Sequence, residues 1–200
     1  SPQAVTDVDV IEQQARNCKK IVTDLLQFSK KQESPKSPEQ INAIIQNVAQ
    51  ILRHQLHKNG IDFHLQLDPT LPLVVVSADK IQQVVVNLVL NAMQAVGEQG
   101  RIVVESFVQE EGRSVALAVW DNGPGVESSI RQKIFDPFYS TKRVGEGTGL
   151  GLSVSYGIIQ DHGGEITLES EQGQWTRFIV SLPLEASLNV AQDTTRPSGE

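Results

Sequence analysis

The feature that most restricts the fold of this 200-residue chain is the order in which its apolar pattern switches between helical and strand periods. From residue 37 to residue 184 the pattern predicts a helix, two strands, a helix, a hairpin, a helix and a closing hairpin. The predicted helices occupy residues 37–58, 78–96 and 150–162, and the predicted strands occupy residues 61–67, 73–76, 101–108, 114–121, 165–170 and 175–182. This order is typical of an α+β fold, a two-layer α/β sandwich with helices on one face of a mixed sheet.

A separate long helix is predicted before this domain. Apolar side chains recur every three or four residues from Thr6 to Lys31, so one helix of about 25 residues would extend roughly 37 Å. Its wide apolar face needs partners in a helix bundle. Two prolines and two serines in Gln32–Pro38 predict a linker. We therefore expect a bundle helix at 1–33, a linker at 34–38, the main domain at 39–184 and a flexible tail at 185–200.

The start of the first helix in the main domain is predicted from Ser37-Pro38-Glu39-Gln40. Ser suits the N-cap, Pro suits the first helical position, and Gln at the third can reach back to the cap. The helix is predicted to stop at Asn59-Gly60.

Charge and cysteine content limit the partners of the chain. The net charge is −7, and residues 61–200 contain nine Lys and Arg against eighteen Asp and Glu. Such acidity disfavours a nucleic-acid partner, and a bound phosphate would need backbone amides and a metal ion. The single cysteine, Cys18, favours a reducing compartment and hence a cytoplasmic location. No apolar run has the length of a membrane span, so we expect no membrane contact within this chain.

The helix at 78–96 carries a line of amides beside its apolar stripe. Gln83, Asn87, Asn91 and Gln94 recur every three or four residues and so share one face. Two Asn one turn apart can direct two carbonyl oxygens to one point, and such oxygens suit Mg²⁺. A solvated helix face without a ligand explains the same pattern, so both interpretations stay open.

An acidic residue followed by glycines ends the strand at 114–121. In Asp121-Asn-Gly-Pro-Gly125 the glycines let a ligand approach the main chain, and the Asp can accept a hydrogen bond from an exocyclic amine such as that of adenine. Because Asn-Gly is also typical of a simple turn, a turn without a ligand stays an alternative.

Four glycines stand within seven residues at Gly145–Gly151, where a helix begins. So many glycines are costly unless the backbone bends sharply or touches a ligand. A glycine-rich turn that leads into a helix presents free amides to phosphate. Neither the dinucleotide-binding fingerprint nor the P-loop signature is present, so a nucleotide would be bound in another way.

Four motifs, taken together and in this order, resemble the N, G1, F and G2 boxes of the catalytic ATP-binding domain of sensor histidine kinases. They are Asn87-x-x-x-Asn91, Asp121-x-Gly-x-Gly125, Phe135-Asp-Pro-Phe138 and Gly145-x-Gly-x-Gly-Leu-Gly151. The resemblance covers residues 37–184. The segment at 6–31 is similar to the second helix of the family's dimerisation and phosphotransfer hairpin, and Ser140-Thr-Lys142 is closest to the nitrogen-regulation and dicarboxylate-sensing branch.

The resemblance implies how the base of ATP is bound. Asp121 would accept a hydrogen bond from the adenine amine, and Thr176 would assist through a water molecule. Gly123 and Gly125 would shape the pocket, and Val126 would also contact the nucleotide.

The resemblance likewise implies how the phosphates are bound. Asn91 would ligate Mg²⁺ with Asn87 as a second ligand beside it, and Asn87 and Lys142 would be the catalytic side chains. Lys142 or Arg143 would neutralise phosphate charge in a mobile lid. The other residues implied to contact the nucleotide are Phe138, Gly145, Gly147, Thr148, Gly149, Leu150, Gly151 and Leu152.

The sequence departs from the family's pattern at two places. A basic residue often stands where this chain has Gln94, so one phosphate contact is missing or comes from the lid. The box that holds the phosphoacceptor histidine is absent, and we interpret the four histidines present, His54, His57, His64 and His162, as structural.

The resemblance implies transfer of the γ-phosphate of ATP to a histidine outside this chain, for relay to the receiver domain of a response regulator. The related ATPases use a Glu at the place of Asn87 as general base, a role that Asn cannot fill at neutral pH. A same-fold ATPase and a nucleotide-binding module without catalysis stay as alternatives. The expected partners are ATP, the phosphoacceptor helix of the same or a partner chain, the receiver domain, and a second copy bound through residues 6–31. The cytoplasmic location also suits part of a membrane-bound sensor.

Overall fold

The computed structural model describes residues 35–109, 113–140 and 148–184. The predicted bundle helix, the tail at 185–200 and the predicted site residues Lys142, Arg143, Gly145 and Gly147 lie outside this part of the chain. Within the described part, no helix is both long enough and apolar enough to cross a membrane.

Within the described residues, three α-helices carry the apolar stripes that the sequence predicts. They are α1 (Ile41–Lys58), α2 (Ala78–Val96) and α3 (Gly151–Asp161), with short 3₁₀ turns at Ser128–Ile130 and Lys133–Phe135. The side chains that α1 buries recur at helical spacing, namely Ile41, Ile44, Ile45, Val48, Leu52 and Leu56. Those that α2 buries do the same, namely Ile81, Val84, Val85, Leu88, Val89, Ala92 and Met93. Both stripes belong to one continuous core.

The described residues also contain strands β1 (Ser37–Glu39), β2 (Asp62–Leu67), β3 (Val74–Val76), β4 (Arg101–Gln109), β5 (Ser114–Asp121), β6 (Glu165–Glu171) and β7 (Trp175–Pro183). β1 and β3 form a small antiparallel pair, and the others form a sheet in the order β2-β4-β5-β7-β6. β2 is parallel to β4, and the remaining neighbours are antiparallel. The sheet is therefore mixed, as predicted.

The helices cover one face of this sheet. Alternate residues of the central strands point towards the helices and are buried, among them Ile102, Val104, Val115, Leu117, Val119, Val180 and Leu182. The residues between them lie on the opposite face, where Arg177 pairs with Glu105 at 2.7 Å and lies over the ring of Phe107. The predicted two-layer α/β sandwich is confirmed.

The predicted start of the first helix is wrong. Ser37–Glu39 forms β1, in which Pro38 lies opposite Val75 of β3. The helix begins at Ile41, with Gln40 as its N-cap. Pro38 is tolerated in a two-stranded pair because one edge of the strand is unpaired and needs no N–H donor. The first two residues of β1, predicted as linker, therefore pair within the domain.

Candidate functional site

The candidate site lies at the end of the sheet where β5 ends and β7 begins. Asp121 is opposite Thr176 in the β5–β7 register, and Thr176 is opposite Ser170 in the β6–β7 register. Because directly opposite residues share a face, all three side chains point towards the helices, where all three are buried. A row of buried polar side chains within an apolar core indicates a functional site.

Asp121 is the only acid of this row and is 2% exposed. Its Oδ1 accepts a hydrogen bond from the main-chain N–H of Gly123 at 2.9 Å. Burial disfavours the charged carboxylate and raises the pKa of Asp121 to about 6, against the smaller opposing effect of that hydrogen bond. Oδ2 makes no hydrogen bond within the described part of the chain, which leaves it available to accept one from a ligand.

The two glycines that follow Asp121 sit where a side chain would not fit. A Cβ on Gly123 would lie 2.6 Å from Asp121 Oδ1 and 3.0 Å from the Cβ of Ala95. Gly125 has a φ of +67°, and a Cβ there would lie 2.8 Å from the carbonyl carbon of Glu171. The main chain therefore packs directly against α2 and the β6–β7 hairpin, and backbone without side chains follows Asp121 at these two positions.

The loop after β5 is tied to the β6–β7 hairpin by polar contacts. Gly173 N–H donates to the Pro124 carbonyl at 2.6 Å, and Val126 N–H donates to Ser170 Oγ at 2.8 Å. Arg131 donates to the Val126 carbonyl at 3.4 Å and also to the Ser170 carbonyl. These contacts fix residues 124–131 against the hairpin.

The amide line of α2 meets the first turn of α3. Asn87 Nδ2 donates to the Gly151 carbonyl at 3.1 Å and to Ser155 Oγ at 3.3 Å. Asn91 lies one turn further along the same face of α2 and is half-buried. The two amides therefore lie along α2 between the contact of Asn87 with the start of α3 and the contact of Ala95 with Gly123.

The segment that leads into α3 is held at its base. Phe138 N–H donates to the Gly149 carbonyl at 3.0 Å, and both residues have a φ of +66°. The ring of Phe138 is 65% exposed, whereas the side chain of Leu150 is buried. Thr148 Oγ1 accepts from the Leu150 N–H at 3.4 Å, and Leu152 packs against the core.

The histidines lie away from Asp121 and Asn87 in the sequence and make other contacts. His54 and His57 are exposed on α1, and His64 is paired with Asp62 at 2.7 Å. His162 caps the C-terminus of α3 and is buried; its Nδ1 lies 2.7 Å from the Ile158 carbonyl, and its Nε2 accepts from the Ser77 N–H. Burial lowers the pKa of His162, which keeps the ring neutral.

The predicted residues fall into two groups. Asp121, Gly123, Gly125, Val126 and Thr176 come together at the end of β5 and β7, and Asn87 and Gly151 are joined by a hydrogen bond. Sequence reasoning missed Ser155, Ser170 and Arg131. Ser170 could have been found, because it continues the inward alternation of Ile166 and Leu168 with a polar residue. Ser155 and Arg131 carry no local signal of their contacts.

Comparison with known proteins identifies the family. Residues 76–186 match the family described as histidine kinase-, DNA gyrase B-, and HSP90-like ATPase. Sensor histidine kinase ZraS of Escherichia coli strain K12 is 33% identical over 175 residues, which cover 88% of this chain and 37% of ZraS. Signal transduction histidine-protein kinase AtoS of the same strain is 30% identical over 177 residues, covering 88% of this chain and 29% of AtoS. The chain thus spans between a quarter and two fifths of these relatives.

Solved structures agree with this assignment. The catalytic domain of histidine kinase ThkA is 35% identical with a TM-score of 0.68, covering 74% of this chain and 95% of that domain. ThkA in complex with the response regulator TrrA matches 92% of this chain and 52% of ThkA, at 30% identity and a TM-score of 0.76. This chain belongs to the histidine kinase-, DNA gyrase B- and HSP90-like ATPase family, and its domain is an ATP-binding catalytic domain of the kind found in sensor histidine kinases.

Proposed function

We propose that this chain binds ATP with Mg²⁺ and transfers the γ-phosphoryl group to a histidine on a helix outside the described domain. The observation that carries the proposal is the buried carboxyl of Asp121, whose Oδ2 makes no hydrogen bond within the described residues and lies beside main chain that bears no side chain at Gly123 and Gly125. A buried acid without an ionic partner is costly, and it is justified where a ligand supplies the missing donor.

The base side of the site would read adenine. The exocyclic amine of adenine would donate to Asp121 Oδ2, with Thr176 assisting through water. Gly123, Gly125 and Val126 would lie along the ring. The two glycines let the main chain pack tightly beside Asp121, where no side chain would fit. Guanine offers a carbonyl at the position of that amine, so GTP would place an acceptor against the carboxylate.

The phosphate side would rely on amides and a metal ion. Carbonyl oxygens of Asn91 and Asn87 suit Mg²⁺, which takes few protein ligands when phosphates supply the rest. When bound, the metal ion would offset the charge of the phosphates. Lys142, Arg143 and the glycines of Gly145–Gly151 remain predicted contributors there.

Transfer to histidine is favoured over hydrolysis by the residue at position 87. Hydrolysis by general-base catalysis needs a group that removes a proton from water, and the amide of Asn87 cannot do so. A neutral imidazole is already a nucleophile. Its ring nitrogen would form the bond to phosphorus as the bond from phosphorus to the bridging β–γ oxygen breaks, and ADP would leave with the electron pair.

The remaining partners are proposed from the similarity of this chain to sensor histidine kinases. The acceptor would lie on the helix that pairs with residues 6–31, from the same chain or a partner, and this segment would join two copies. A response-regulator receiver domain would take the phosphoryl group, as suggested by the ThkA complex with TrrA. These partners fit a cytoplasmic protein.

Radiolabelled ATP tests the proposal. This chain is mixed with a dimerisation-hairpin fragment of a sensor histidine kinase, and a fragment with its acceptor His replaced by Gln is the control. We expect label on the intact fragment only, no label on this chain, and no phosphate release without the fragment. Rapid release of phosphate would favour the same-fold ATPase, and ATP binding without either reaction would favour a nucleotide-binding module.

A further inference from the structure

A fully buried hydroxyl, Ser155 Oγ, lies in α3 one turn after Gly151 and contacts the amide of Asn87. We propose that Ser155 is a positioning residue that fixes which end of the Asn87 amide faces the nucleotide and its metal ion. This inference rests on the proposed function, since it takes Asn87 Oδ1 as a group that acts on the phosphate side.

Hydrogen-bond chemistry determines the orientation of the amide. The Gly151 carbonyl can only accept, so the amide atom 3.1 Å from it must be the NH₂ group of Asn87. The hydroxyl of Ser155 donates its single proton to the same carbonyl at 2.9 Å. Its lone pairs are therefore left to accept from Asn87 Nδ2 at 3.3 Å.

Turning the Asn87 amide over would place its carbonyl oxygen against the Gly151 carbonyl, and the Ser155 hydroxyl could donate to it only by giving up its own bond to Gly151 O. A buried acceptor that faces another acceptor loses its hydrogen bond and is repelled, so this state is disfavoured. With Nδ2 held by α3, Oδ1 is the end of the amide that remains for a ligand. Without Ser155 Oγ, only the bond to Gly151 would oppose rotation.

The same contact joins two parts of the site. Asn87 lies in α2, and Gly151 is both the first residue of α3 and the last residue of the glycine-rich sequence at 145–151. An amide that holds the start of α3 by Nδ2 and a metal ion by Oδ1 would link the metal ion to that segment. A positioning group of this type is expected to change metal affinity more than base recognition.

Ser155→Ala tests the inference, with Ser153→Ala as its matched control. Ser153 Oγ also donates to a carbonyl at the start of α3, that of Leu150 at 2.9 Å, yet it makes no contact with Asn87 within the described residues. For Ser155→Ala we expect the Mg²⁺ concentration for half-maximal ATP binding to rise about tenfold. ATP binding in EDTA and adenosine binding should stay at the wild-type level. Ser155→Thr, which keeps the hydroxyl, should return the Mg²⁺ concentration for half-maximal ATP binding to the wild-type value.

The side-chain amide signal of Asn87 in ¹⁵N NMR gives a second readout that needs no nucleotide. The two Nδ2 protons should change their shifts in Ser155→Ala and keep them in Ser153→Ala. Unchanged Asn87 signals in a folded Ser155→Ala variant, or equal effects of both variants, would overturn the inference. If the wild-type protein showed no Mg²⁺ dependence, the proposed function would be contradicted, and the positioning role of Ser155 would then be judged on the NMR signal alone.

Discussion

The two sides of the candidate nucleotide site are built from different kinds of contact. On the base side, Gly123 packs against Ala95 of α2, backbone packs on backbone at Gly125, and three hydrogen bonds tie the loop to the β6–β7 hairpin. On the phosphate side, the side-chain amide of Asn87 is hydrogen-bonded to the start of α3, and backbone packs on backbone where Gly149 meets Phe138. Backbone contacts are part of the fold, whereas a side-chain amide can be replaced alone. The base side should therefore be intolerant of change, and the contact between α2 and the start of α3 on the phosphate side more tolerant.

Among the variants that test this comparison, Gly125→Ala should have the largest effect on the free energy of unfolding and on ATP binding. The new Cβ would collide with the Glu171 main chain at a φ of +67°, so the loop or the hairpin must shift. We expect a loss of more than about 3 kcal/mol in the free energy of unfolding, together with loss of ATP binding. Chemical denaturation and calorimetry measure both. Gly157→Ala is the control, because a Cβ there meets nothing within 4 Å and should stabilise α3. A stable Gly125→Ala variant that binds ATP would contradict the account of the base side.

Stability should depend on pH through Asp121. The folded protein holds this proton more tightly than the unfolded chain, with a pKa of about 6 against 3.8. The stabilisation of the folded protein by this proton is therefore complete below pH 3.8 and is lost as the pH rises through 6. Asp121→Asn should be more stable than wild type at pH 7.5 by about 2–3 kcal/mol, and this advantage should vanish near pH 4. Chemical denaturation of both proteins at the two pH values measures this difference, because the pH dependence due to all other titratable groups is the same in both and cancels. If the difference in the free energy of unfolding between the two proteins were the same at both pH values, burial would not raise the pKa of Asp121.

Arg131→Ala should weaken the base side by removing the two hydrogen bonds that Arg131 makes to the loop and the hairpin. We expect a loss of about 1–2 kcal/mol in the free energy of unfolding and several-fold weaker ATP binding. Lys133→Ala removes a nearby exposed positive charge and serves as control. If both variants lowered ATP affinity equally, the effect would come from charge rather than from these hydrogen bonds.

Gly151→Ala should have the smallest effect. A Cβ at Gly151 would lie 3.8 Å from Asn87 Cγ, an ordinary contact, and no positive φ stands in its way. We expect a change within about 0.5 kcal/mol in the free energy of unfolding. Thermal denaturation of Gly151→Ala and Gly125→Ala under the same conditions compares the two sides directly. A loss equal to that of Gly125→Ala would show that the two sides do not differ.

Local sequence patterns predicted most helices and strands because their apolar periods match their burial. They failed at Ser37–Glu39, where a good helix start forms a strand because pairing with β3, far along the chain, decides the outcome. Asp121 and Asn87 were predicted since each belongs to a compact motif. Ser155 was not, because its partner lies 68 residues away. Ser170 was missed although the alternation of β6 places this polar residue on the inward face. Which strands become neighbours likewise depends on long-range packing.

The central claim is that Asp121 selects adenine at a preformed base side. Isothermal titration of wild type and Asp121→Asn with ATP and with GTP, all with Mg²⁺, tests it most directly. We expect ATP to bind wild type at least about tenfold more tightly than GTP, and Asp121→Asn to lose about 1.5–3 kcal/mol of ATP binding free energy. Equal binding of ATP and GTP by wild type, or ATP affinity unchanged in Asp121→Asn, would contradict the claim.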